Sequence, residues 1–184
     1  WGNLSLIPKV IVGFAPTATA GLLLHSIVSK AFASTSLIAW ALIVGGIVLL
    51  FLKPIDTPSD VGNISYKQAF IIGCTQILAF IPGVSRSGAT LIGGTVLGIS
   101  RAQIVDFSFL LGIPTILGAS VIELNSIPSL SGPQWQMIAV GAIVAFATAL
   151  LTMGWFIKIL TKKPLSWFGW YRIFIGIVIL LFIA

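Results

Sequence analysis

Residues Ile81 to Thr90 read I-P-G-V-S-R-S-G-A-T, which sets an arginine, three hydroxyls and two glycines between segments that are otherwise apolar. In a water-soluble protein such a loop is ordinary. Inside a bilayer a guanidinium costs from about 2.5 kcal/mol on insertion scales to more than about 10 in simulations, so Arg86 points to a ligand or partner that needs its charge. The ligand that fits is an anion.

The rest of the chain supplies the bilayer. Of 184 residues, 58% are hydrophobic and only 8% are charged, and several apolar stretches are longer than a soluble core helix needs. The fold class this predicts is an all-α polytopic membrane protein, forming a single integral membrane domain over residues 1–184. The net charge of +6 does not indicate nucleic acid, because the Lys and Arg residues flank apolar spans instead of gathering on one polar face. Cys74, the lone cysteine, cannot form an internal disulfide and lies in an apolar run, so it is expected to be a buried structural thiol. No metal-binding cluster of Cys or His is present in the sequence. Trp1 is not an initiator methionine and no signal peptide is visible, so the chain is expected to be a fragment.

Five stretches are long enough, at about 1.5 Å per residue, to cross roughly 30 Å of hydrocarbon: Leu6 to Val28, Ser36 to Leu52, Asp106 to Leu124, Trp135 to Leu160 and Ser166 to Ala184. Pro16 and Pro114 should kink two of them. The expected polar connections are Ser29 to Thr35, Lys53 to Ser65, Ser100 to Val105, Asn125 to Gln134 and Thr161 to Leu165. Tyr66 to Ile81 and Ser85 to Ile99 are shorter, and Pro82 interrupts them. They form either a re-entrant hairpin, which we favour, or two short full spans. In both cases Lys9, Lys53, Lys67, Arg101, Lys158, Lys162 and Lys163 share one face and Lys30 lies opposite, which makes the crowded face cytoplasmic. Trp135, Trp155, Trp167 and Trp170 lie near span ends and suit an interfacial belt.

The hairpin loop has the chemistry of an anion site. Gly83 and Gly88 permit close backbone approach and unusual dihedral angles, and a helix opening at Ser85 leaves its first amide hydrogens without intrahelical partners. Ser85 or Ser87 can cap that helix, Arg86 can make two parallel bonds to a phosphate, and the helix dipole favours negative charge at the same end. The candidate catalytic residues are therefore Arg86, Ser85 and Ser87, with Gly83, Val84, Gly88, Thr90 and Gln76 as candidate substrate contacts. The ordinary structural alternatives are a serine-capped turn whose arginine snorkels to water and, for Thr90 and Gln76, a simple helix–helix hydrogen bond. His25 is expected at the outer interface. Asp56 and Asp60 suit a solvated loop, Glu123 a span end, and Asp106 a structural role such as positioning Arg101 or capping its own helix.

The run Tyr66 to Thr90, Y-K-Q-A-F-I-I-G-C-T-Q-I-L-A-F-I-P-G-V-S-R-S-G-A-T, with G-I-S-R at Gly98 to Arg101, D-F-S-F-L-L-G-I-P at Asp106 to Pro114, and Tyr171 and Arg172 in the last span, resembles the bacitracin-resistance type of undecaprenyl-diphosphate phosphatase. The resemblance implies a bacterial cytoplasmic-membrane hydrolase that removes the terminal phosphate of undecaprenyl diphosphate, recycling the lipid carrier for peptidoglycan synthesis. It also implies two inverted repeats, each with a re-entrant hairpin, and a site opening to the outer face of the membrane. On that template residues 1–60 end the first repeat and residues 61–184 form the second, with its hairpin at 66–99. The family's glutamate-rich segment and the P-V-S-S-T-G-H that follows it are not in this sequence, and His25 is not their histidine. Family members depend on a divalent cation, magnesium or calcium, but no ligand for it can be assigned here. Inverted repeats and a buried charge also suit a transporter or flippase for a phosphorylated lipid or other anion. The implied partners are the lipid diphosphate and the membrane, not nucleic acid. An oligomer is compatible with the sequence, although intrachain packing also explains Gly45-Gly46 and Gly93-Gly94.

Overall fold

The computed structural model describes residues 6–53, 64–127 and 130–183. Trp1, Asp56 and Asp60 lie outside them. Among the described residues seven helices follow one another: α1 (Leu6–Ala31), α2 (Thr35–Phe51), α3 (Tyr66–Gln76) continued by a 3-10 turn (Ile77–Phe80), α4 (Arg86–Val96), α5 (Arg101–Ser126), α6 (Gly132–Lys162) and α7 (Ser166–Phe182). The expected all-α, polytopic architecture is the one observed. By length and composition α1, α5 and α6 can cross a membrane. The apolar helices α2 and α7 have 17 residues each, about 25 Å at 1.5 Å per residue. Pro16 and Pro114 lie inside helices that continue past them.

Serine caps set the helix starts. The hydroxyls of Ser34, Ser65 and Ser100 accept from the amides of Leu37, Gln68 and Gln103. Gln68, Gln103 and Gln134 reach back to the amides of Ser65, Ser100 and Ser131, which completes three capping boxes. This corrects one boundary. Residues Ser100 to Val105, expected as a connection because they are polar, are the cap and first turn of α5, so Asp106 lies inside that helix and does not cap it. The charge of Arg101 is accommodated because its Nη2 donates to the carbonyl of Lys163, just past the end of α6.

Two groups of helices pack through missing side chains. α2 and α7 make the most extensive helix–helix contact. They run antiparallel: a Cβ on Gly46 would stand 2.7 Å from the Gly169 carbonyl oxygen, and one on Gly176 would stand 2.8 Å from that of Ala39. In the other group, Gly73 of α3 lies directly against the Gly13 carbonyl of α1, Gly21 faces Phe80, and Thr17 donates to the Gly73 carbonyl at 3.1 Å, so α1 and α3 run in the same direction. Buried Ala69, Ile72, Leu91, Ile104, Phe107 and Leu111 fill the space among α3, α4 and α5, with Val10 and Phe14 of α1 against them. Both glycine pairs singled out in the sequence serve this internal packing: Gly46 faces α7, while Gly93 and Gly94 face Thr75 and Ile104. α6 is different, because it is exposed along nearly its whole length and is held near one end by Leu160 and by Phe156, edge-on to Phe109 and Phe168. The four tryptophans of the expected belt are all exposed.

Cys74 is a correction. It is exposed, because its neighbours Ile72 and Gly73 turn the buried side of α3 inward and the next residue falls outside it. In a membrane protein an apolar run satisfies lipid as readily as a core, so apolarity did not imply burial. The close approach at Gly73 makes a stability prediction. Gly73→Ala should cost about 1–3 kcal/mol through overpacking and lower the thermal unfolding midpoint in detergent, whereas Gly141→Ala, with nothing within 4 Å, should leave it unchanged or raise it.

Candidate functional site

The site begins with a tight turn. The amide of Val84 donates to the Ile81 carbonyl at 3.0 Å, closing a four-residue turn whose second residue is Pro82 and whose third is Gly83 at φ +93°. Proline followed by a residue at positive φ is the pattern of a type II turn, and only glycine takes the third position without strain. Packing excludes a side chain as well, since a Cβ on Gly83 would stand 2.5 Å from the Ile38 carbonyl oxygen of α2. The turn therefore rests against the first two turns of α2.

Helix α4 starts immediately beyond. Ser85 is its N-cap, with Oγ accepting the Gly88 amide at 3.1 Å and lying 3.2 Å from Ser87 Oγ. Gly88 has ordinary helical geometry, contrary to the unusual dihedrals expected there, and its missing side chain serves the cap: a Cβ would be 3.1 Å from that of Ser85. Arg86 is the first residue of the helix. Its side chain leaves the turn toward α5, where the guanidinium lies over Gly112, and a Cβ on Gly112 would come 2.6 Å from Nη2.

This placement follows from an antiparallel register between α4 and α5. Gly94 faces Ile104, Thr90 faces Ser108, and Arg86 faces Gly112, stepping one turn at a time in opposite directions along the two helices. Thr90 and Ser108 are buried and their hydroxyls lie 2.6 Å apart, while Thr90 also donates to the Ser87 carbonyl at 3.0 Å. Gly112 is near the midpoint of α5, so the guanidinium of Arg86 is held about halfway along a helix long enough to cross the bilayer. Arg86 Nη1 is buried and has no hydrogen-bond partner among the described residues. An orphaned charged donor at that depth is costly unless a ligand oxygen meets it.

Gln76 lies on the α3 side. It is buried in a polar seam where Nε2 donates to Thr17 Oγ1 at 3.1 Å and to Thr115 Oγ1 at 3.0 Å, and Oε1 has no partner among the described residues. The structure thus brings Gly83, Val84, Ser85, Arg86, Ser87 and Gly88 together at the turn and places Thr90 and Gln76 in the flanking helix seams. Two further residues bear on the site. Gly112 gives the guanidinium its room, and Arg172 of α7 donates from Nη2 to the Gly83 carbonyl at 2.6 Å. The signal for Arg172 was available as a charge within an apolar run. The signal for Gly112 was not, because a helical glycine announces its neighbour only once the register is known.

Residues 2–178 match the bacitracin resistance protein BacA family. An undecaprenyl-diphosphatase of Aquifex aeolicus is 39% identical over 176 residues, covering 92% of this chain and 69% of its own length. Undecaprenyl-diphosphatase 1 of Clostridioides difficile is 39% identical over 176 residues, covering 94% of this chain and 64% of its own length. An undecaprenyl-diphosphatase of Methanococcus aeolicus is 38% identical over 188 residues, covering 99% of this chain and 73% of its own length.

Gly112 offers a test of the site that leaves every charged and hydroxyl group in place. Gly112→Ala should displace the guanidinium and weaken inorganic phosphate binding by about tenfold or more, on the scale of one charge-assisted hydrogen bond. Titration calorimetry in detergent would measure it, and unchanged affinity would remove Arg86 from the anion site.

Proposed function

The chain belongs to the bacitracin resistance protein BacA family, and from that premise we propose that it hydrolyses undecaprenyl diphosphate to undecaprenyl phosphate and inorganic phosphate at the hairpin turn. The observation that carries the reading is Arg86, whose Nη1 is buried and has no partner among the described residues, beside a serine-capped helix start. A terminal phosphoryl group at that end of α4 meets a guanidinium able to bond two of its oxygens and the positive end of the helix dipole. During transfer, negative charge spreads over the three equatorial oxygens of the phosphoryl group, and a guanidinium fixed beforehand stabilises that charge without reorganising.

Water attacks the terminal phosphorus. The bond to the bridging oxygen breaks, and that oxygen leaves with the lipid monophosphate. Ser85 Oγ already accepts the Gly88 amide, and its other neighbour is Ser87 Oγ, so neither partner is a base that would activate it as a nucleophile. Both serines instead donate to phosphate oxygens. The described residues do not fit a divalent cation: no group of three His, Cys, Asp or Glu side chains converges among them, and the hairpin turn presents an arginine and neutral hydroxyls. The isoprenoid tail lies along apolar helix faces, and the enzyme sits in the bacterial cytoplasmic membrane with its crowded basic face inward.

Purified protein in detergent, supplied with undecaprenyl diphosphate, should release phosphate. Arg86→Ala should lower kcat by about a hundredfold to a thousandfold, the usual cost of removing a preorganised donor, with the folded fraction unchanged by circular dichroism. Movement of the lipid diphosphate across proteoliposomes without phosphate release would replace hydrolysis with transport.

A further inference from the structure

We propose that Arg172 is a positioning residue for this hydrolysis, clamping the hairpin turn from outside the hairpin so that Arg86 meets the phosphate in register. The inference rests on the function proposed above and extends it to α7. Arg172 lies in an apolar helix that packs on α2, yet its guanidinium does not run to the helix end. Nη2 donates to the Gly83 carbonyl at 2.6 Å, and Nε is buried without a partner among the described residues. A charge inside an apolar helix is retained for a reason, and here its recorded target is the backbone of the turn.

The fold keeps a passage open for that side chain. A Cβ built on Gly45 of α2 finds Arg172 as its three nearest neighbours, with Nη2 at 2.9 Å and Cζ and Nε at 3.5 Å. The neighbouring Gly46 belongs to the helix–helix seam with Gly169, so the pair divides the work: Gly46 lets the helices approach and Gly45 lets the guanidinium through. Gly83 carries φ +93° and is followed by Val84, the cap Ser85 and then Arg86, so holding its carbonyl fixes the point from which α4 departs. The turn's own bond from Val84 to Ile81 and the cap bond from Gly88 to Ser85 do not involve Arg172, and they preserve the hairpin without it. Without the clamp the turn can slide along α2, and a displacement of about 1 Å at a reacting group costs up to about a hundredfold in rate.

The test measures kcat and KM for undecaprenyl diphosphate in detergent, together with thermal unfolding, for three variants. Arg172→Gln should lower kcat about tenfold to a hundredfold while KM changes by less than about threefold, as expected when orientation and not binding is lost. Arg172→Lys should recover part of the rate, because an ammonium still donates to the Gly83 carbonyl. Gly45→Ala should lower kcat without lowering the unfolding midpoint, since its new methyl meets only the movable end of an arginine and alanine favours the helix. Wild-type kcat in both Arg172→Gln and Gly45→Ala, or losses that only track the folded fraction, would overturn the clamp while leaving hydrolysis intact. Absence of phosphate release by the unmutated protein would overturn the proposed reaction, and the clamp with it.

Discussion

A guanidinium held halfway along a membrane-crossing helix is the constraint from which the rest of the architecture follows. Arg86 can reach that depth only if the backbone itself goes there, and irregular backbone inside a bilayer survives only when protein surrounds it. Hence the short arms of α3 and α4, the turn between them resting on α2, and the seams with α1 and α5 that cover both arms. Its neighbour on α5 must be a glycine, because any side chain at position 112 would occupy the space of the charge. The register that brings Arg86 to Gly112 also brings Thr90 to Ser108, so one set of contacts fixes the helix pair and the charge together.

Support for the turn is distributed across the chain. α3 is fastened to α1 by Gly73 against Gly13 and by Thr17, α4 to α5 by hydroxyl and glycine contacts, and the turn to α2 and α7 by Gly83. Few of these contacts involve large side chains. Where lipid is as apolar as leucine, helices gain little by burying leucine against each other, and association comes from close backbone approach and hydrogen bonds. The most extensive contact, between α2 and α7, is correspondingly lined by Gly46, Gly169 and Gly176.

The geometry of the turn is legible in the sequence because each residue there serves a local rule. Pro82 and Gly83 specify the turn, Ser85 caps the helix behind it, and an arginine in apolar surroundings stands out as a costly residue. What could not be read depended on register or on the solvent. Helix α5 starts earlier than its polar S-R-A-Q suggests, because Ser100 and Gln103 complete a capping box there. The apolar run around Cys74 suggests a core position, but an apolar stretch does not say whether it faces protein or lipid, and the thiol is exposed. Gly112 and Gly45 have neighbours far away in the chain, and only the packing of helices shows that each makes room for an arginine.

The pairing of α2 with α7 has a temporal side. Between these helices the chain must produce the whole hairpin, α5 and α6, so during vectorial synthesis α2 waits in the lipid with its glycine stripe uncovered while everything between is inserted. Only when α7 emerges can the seam zip shut and bring a second arginine onto the turn. The contact between Arg172 and the turn is thereby deferred until α7 is inserted, and a product truncated before α7 would enter the membrane with its hairpin in place but that contact missing.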